Sequence, residues 1–207
     1  MSKIHIDRMA GAVKRYYSEA VIAQQKIKRN NEIYMKEFAE PENEKIVAQL
    51  RTARKAAEDA ITAAQESGRA EALAWGKLDG SKLTKDADLL KFDISPEQYD
   101  DLVERYKGNG TMSTLLHDYG EKMNAKFREE KGQSGQMPEA VYHSRNIPTA
   151  EKKAEVYDKF ANGAYNILNR IDSPGTFGGG TDSQMLKLAV ETFGQPDGTS
   201  AHLFDML

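Results

Sequence analysis

Histidines, carboxylates and two glycine-rich loops are the residues of this 207-residue chain whose types could support chemistry. His5, His117, His143 and His202 are far apart, and no two fall three or four residues apart on one helix. That spacing gives no paired metal ligands and no zinc-protease signature. His117 and Asp118 are adjacent, so on a helix they project to different faces and form no dyad by themselves. "KDADLLKFD" and "DDLVE" are rich in acids, but acid catalysis needs one carboxyl withdrawn from water and another left in it. Here the acids alternate with Lys85, Lys91 and Arg105, as on a solvated face. Cysteine is absent, which removes thiolate ligands, thiol nucleophiles and disulfides and fits a reducing compartment.

The glycine loops fail as phosphate cradles. A phosphate loop places Lys after its glycines, with Ser or Thr beside it for magnesium. "YKGNGTMSTLL" has its Lys in front, and no strand precedes it. "GTFGGGTDS" has no base nearby and is bracketed by Asp172 and Asp182. Both are expected to punctuate helices. These readings name no catalytic residue, no metal ligand, no cofactor and no small-molecule substrate.

The elements that would have to position any site are helical. Ile6, Val13, Ala20, Ile27 and Tyr34 repeat every seven residues, and Met9, Tyr16, Tyr17, Ala23 and Phe38 give a second stripe. Together they predict a coiled-coil helix over residues 6–38. Ile6, Val13, Ala20, Ile27, Tyr34 and Phe38 are the expected oligomerisation seam. Asn30 and Asn31 interrupt the stripe, either setting register or breaking it. Pro41 suits a first turn, so a second, alanine-seamed helix is expected from about 41 to 75, folded back as a hairpin.

Beyond Gly76 the punctuation is clear. Ser95, Pro96 and Gln98 make an N-cap, first helical residue and capping-box partner, and Gly108 closes that helix. A fourth helix is expected over 111–130, a mobile linker over 131–138, a helix capped by Thr149 that runs to Ile171, and a short helix over 183–193. "AVYHS" (140–144) is the one strand-like run. The chain therefore reads as all-α: a hairpin over 1–80, a two-helix acidic segment over 81–131, and a linker with C-terminal helices and an apolar tail over 132–207. Leu203, Phe204, Met206 and Leu207 in that tail are candidates for docking or for partner binding.

Net charge is −3 and the pI is about 5.9, which argues against a dedicated nucleic-acid binder. The local balance varies. Residues 1–36 carry eight bases against three acids, and residues 84–106 carry seven acids against three bases. Lys14, Arg15, Lys28 and Arg29 lie opposite the heptad seam and form the one stripe that could follow phosphates. "MSKIHIDRMAG" lacks the apolar centre of a signal peptide and no run approaches the ~20 apolar residues of a membrane span, so a soluble cytoplasmic protein is expected.

"DISPEQYDD" and "KGNGTM" carry a family resemblance. The segment from Ala74 to Asn124 resembles proteins encoded in tailed phages and prophages of Gram-positive bacteria, which share a charged helical hairpin, an acidic "LSPEE"-like helix start and a "K-G-N-x-T-M" corner. Here those features fall at Ile94 to Gln98 and Lys107 to Met112, and the resemblance spans roughly residues 37–131. It implies a structural or assembly component without enzyme activity, working in the bacterial cytoplasm or in the virion. The expected partners are further copies of the chain and another phage or host protein. Two other readings stand beside it: an inhibitor that binds a host defence protein through the acidic middle, and a nucleic-acid-binding regulator that uses the basic stripe.

Overall fold

A computed structural model describes residues 3–131, 141–173 and 181–196. The fold is all-α, with no strand among the described residues. Six α-helices follow one another: α1 (Ile4–Ile33), α2 (Lys36–Trp75), α3 (Pro96–Arg105), α4 (Gly110–Lys131), α5 (Ala150–Ile171) and α6 (Thr181–Thr192), with short 3₁₀ turns at Gly80–Lys82, Lys85–Lys91 and Ser144–Asn146.

Two compact units are distinguished by their internal contacts. One is Ala70–Ala154; the other combines Ser2–Arg69 with Glu155–Leu207. The divisions fall inside α2 and α5, whereas composition placed them at 80/81 and 131/132. Glycine and glutamine mark where a chain can bend, and long-range packing decides which helices share a core.

The unit containing α1 is built on seven-residue spacing. Ile6, Met9, Val13 and Tyr16 of α1, Ile61 and Ala64 of α2, Tyr157, Phe160 and Leu168 of α5, and Leu186 and Val190 of α6 are buried together. The apolar residues of α5 recur at three and four, which gives the wide stripe of a helix packed on several neighbours. Gly68 lets α2 approach α5, because a Cβ there would lie 2.5 Å from the Tyr157 ring. The ring of His5 meets the edge of Tyr157 at 5.9 Å. At the end of α5, Arg54 bonds Asn169 Oδ1 at 2.7 Å, reaches the Leu168 carbonyl and contacts Asp172, which also accepts from the Tyr16 hydroxyl. A cation at a helix C-terminus offsets the exposed carbonyl dipoles.

The hairpin turn lies earlier than Pro41 suggests. Tyr34 N–H makes the last bond of α1, to the Asn30 carbonyl, and Tyr34 is extended. The Met35 carbonyl then accepts from Phe38 and Ala39 N–H to open α2. Pro41 sits inside α2, exposed. Its missing N–H leaves the Glu37 carbonyl, one turn back, without its intrahelical donor. Asn30 and Asn31 neither break the helix nor face a seam: both bond Asn43 across the hairpin, at 3.0 and 2.8 Å.

The second unit is organised by tyrosines. Tyr99, Tyr119 and Tyr142 pack together with ring centroids 5.3–6.0 Å apart, among Ile94, Leu102, Leu116, Met123 and Ile147. Each hydroxyl finds a backbone carbonyl: Tyr99 to Leu116, Tyr119 to Phe92 and Tyr142 to Ile94. Ser95 forms the expected capping box with Gln98, and Thr149 Oγ1 caps α5 by accepting from Lys152 N–H. The described part of "AVYHS" is a turn and 3₁₀ segment, not a strand. Buried Asn124 supplies the pairing a strand would have made, donating to the Tyr142 carbonyl at 2.8 Å and accepting from its N–H at 3.0 Å.

Candidate functional site

The "KGNGTM" corner is a packing joint. α3 ends at Arg105 and Tyr106–Gly108 turn. Asn109 then caps α4, its side-chain oxygen accepting from Met112 N–H at 3.2 Å while its amide donates to the Lys82 carbonyl at 2.8 Å. Gly110 is where glycine is required, since a Cβ there would fall 1.9 Å from the Trp75 carbonyl oxygen. Thr111 Oγ1 donates to the Lys77 carbonyl and accepts from Asp79 N–H, and Thr114 Oγ1 donates to the Gly76 carbonyl. Gly76 in turn has the Ala150 side chain against it, and the buried Lys153 ammonium lies over the Trp75 ring at 4.6 Å. The donors that could have met an anion are engaged in joining these segments.

Several acids of the middle segment are paired with bases of their own chain. Asp86 accepts from the Tyr106 hydroxyl and from Arg105, and these bonds hold its carboxyl below the ordinary carboxylate range. Asp88 pairs with Lys91 and Asp93 with Lys126. Glu121 accepts from the Ser144 hydroxyl at 2.6 Å, which lowers its pKa. His117 and Asp118 approach to 3.4 Å, with the Asp118 side chain in solvent, and exposed His143 meets Asp100 at 3.2 Å. His202 lies outside the described residues. Among the described residues, no group of three or more His, Asp or Glu is placed to hold a metal ion.

The expected seam is divided in fate. Ile6, Val13 and Ala20 are buried inside the chain's own core, so they are not free to meet a second copy. Ile27 is half-buried, and Tyr34 and Phe38 are 52% and 65% exposed. The heptads are consumed by α2, α5 and α6 over the first half of α1 and released to solvent at its end. Of the basic stripe, Arg15, Lys28 and Arg29 are exposed and Lys14 is half-buried, and Lys28 pairs with Glu32 at 3.9 Å. Leu203, Phe204, Met206 and Leu207 lie outside the described residues.

At the distal hairpin, Tyr34 and Phe38 of the expected seam are joined by Ile33 and Met35, which the heptad pattern does not include. Ile33 is 60% and Met35 76% exposed, and together with Tyr34 and Phe38 they place four large apolar side chains within six positions at the turn. Farther from the tip, a groove of about 140 Å³ lies between the two helices, lined by Glu19, Ile22, Lys26, Ile46, Gln49 and Leu50 among others. Exposed apolar surface concentrated in one place marks a contact site. The sequence signal for this surface is the heptads running past Ile27; a turn at Pro41 would make them one continuous seam, whereas the turn at Tyr34 and Met35 gathers them at a tip.

No protein-family model, no curated protein and no solved structure matches the chain. No helix of the described residues is long and apolar enough to cross a membrane.

Proposed function

We propose that this chain is a non-enzymatic helical protein that works by protein–protein contact, in the structure or assembly of a phage particle. The apolar tip of the α1–α2 hairpin carries this reading. A protein that only had to fold would gain by ending the apolar pattern at Ala23, where burial on α1 stops. This chain extends it for another ten residues into solvent. Other candidate groups among the described residues serve the fold: Asp86, Asp88 and Asp93 are paired and the glycine corner holds Trp75. The phage context rests on the resemblance of "DISPEQYDD" and "KGNGTM" to prophage-encoded proteins. The same internal pairing of Asp86, Asp88 and Asp93 leaves the acidic middle a weak lure for a host enzyme.

Affinity purification of a tagged copy from cells in which the phage is replicating tests the proposal. Recovery of head or scaffold proteins, lost when Phe38 and Ile33 are both changed to Glu, is the expected result. Recovery of a host nuclease instead would favour inhibition. Binding to arbitrary duplex DNA that weakens steeply with salt would favour the regulator reading.

A further inference from the structure

Between Gln24 and Ala56, Ala39 is the single buried residue. Two helices meeting over one buried alanine leave most of their apolar surface in water, where it adds little to stability, because helix stability in proteins comes chiefly from packing of an apolar face. Such a face is nevertheless present. Ile22 and Ile33 are eleven residues apart, as are Phe38 and Gln49; at 3.6 residues per turn each pair shares an azimuth. Ile22 and Gln49 both line the interhelical groove, so Ile33 and Phe38 carry that same face on to the tip. Ile46 and Leu50 lie along it, each half-exposed.

Charge selects the occupant. The last ten residues of α1 carry Lys26, Lys28 and Arg29 against Glu32, whereas the first ten of α2 carry Glu37, Glu40, Glu42 and Glu44 against Lys36 and Lys45. One edge of the hairpin is basic and the other acidic. A copy related by a two-fold axis along the hairpin sets each α1 opposite its partner's α2, base to acid, and a two-fold interface must be self-complementary in this way. A two-fold axis across the hairpin would set α1 against α1, with like charges opposed.

We propose that the distal hairpin is a homodimerisation surface, two copies of this chain packing the face bearing Ile22, Ile33, Phe38 and Ile46 into a four-helix bundle, with α1 of each opposite α2 of the other. This interface deepens the assembly reading. It is tested on the purified full chain, so its failure is distinct from a failure to recover phage partners.

Sedimentation velocity across a wide concentration range should give a dimer that dissociates more readily at high salt. The Ile33→Glu/Phe38→Glu double variant should weaken association at least ~100-fold with an unchanged helical circular-dichroism spectrum. The chain has no native cysteine, so arrangement can be read by cross-linking. Ile33→Cys mixed with Phe38→Cys should join through a short bismaleimide, and Ile33→Cys alone should join far less. A strict monomer overturns the proposal. So does a dimer that survives the double variant, which would move the contact to another surface such as the tail at Leu203 to Leu207. A dimer in which Ile33→Cys joins itself in preference overturns the α1-to-α2 arrangement.

Discussion

Two glycines two residues apart have opposite requirements. Gly110 rests on the Trp75 carbonyl, with no room for a methyl group, and the obstacle is backbone that cannot swing aside. Gly110→Ala should cost about 3 kcal/mol, as overpacking against a fixed neighbour does. Gly108 has open space around it and no positive φ. Gly108→Ala should therefore be neutral or stabilise by about 0.5 kcal/mol by narrowing the unfolded ensemble. Urea titration of the two variants separates these outcomes. Sequence alone marked both as punctuation, because composition signals a bend without saying which backbone lies against it. Lys153 was likewise invisible: it sits in an ordinary charged run, and its burial depends on where Trp75 arrives. That burial disfavours the ammonium and lowers its pKa below the ordinary 10.5. Below the folded-state value both states hold the proton. Between that value and 10.5 the unfolded chain binds a proton that the folded chain does not, so the Lys153 contribution to stability rises with pH through that window. Burial pushes Tyr16, Tyr99 and Tyr142 above the usual tyrosine range, so near pH 10 the unfolded chain releases tyrosine protons that the folded chain keeps, and their contribution to stability falls there. Chemical denaturation at pH 8, 9 and 10 should show the native protein gaining stability relative to Lys153→Met as pH rises, the tyrosine contribution being common to both.

Helix α3 was legible to the residue at its start, because a capping box is a local device: Ser95, Pro96 and Gln98 satisfy one another within a single turn. Ser95→Ala should cost about 1 kcal/mol, read as a shift in the urea midpoint with an unchanged slope. The α1–α2 turn was not legible, for the opposite reason. Tyr34 and Met35 carry no turn propensity, and the helices part there because cross-hairpin bonds from Asn30 and Asn31 to Asn43 fix where α2 must start. Pro41 misled because its exposed position lets water take the carbonyl that loses its donor. The pairing role of Asn124 was hidden similarly, since a lone Asn in an apolar stripe does not reveal which segment it will hold.

At the scale of the molecule, the all-α class followed directly from 3.6-residue periodicity, while the grouping of helices into two units did not. Asp79, Asp86, Glu97 and Glu121 are all held below the ordinary carboxylate range by hydrogen bonds, and all four belong to the unit Ala70–Ala154. A depressed folded-state pKa gives stability that is full above the unfolded value and lost as pH falls through the folded one. Acidification below about pH 4 should therefore loosen this unit first. Hydrogen exchange read by mass spectrometry should show peptides of α3 and α4 losing protection before those of α1 and α6. Simultaneous loss across all helices would place the acid sensitivity elsewhere.

The Asn109–Gly110 bond also sets a limit on the working life of the chain. An asparagine before glycine is prone to attack by the next backbone nitrogen on its side-chain amide, which converts it to aspartate or isoaspartate. While α4 is formed, the Asn109 side chain is pinned at both ends, to Met112 N–H and the Lys82 carbonyl, away from that reactive geometry. A molecule that lingers unfolded frees it, and an isoaspartate adds a backbone carbon where Gly110 has no space to spare against Trp75. Each excursion from the folded state thus carries a chance of chemical ageing that refolding does not reverse.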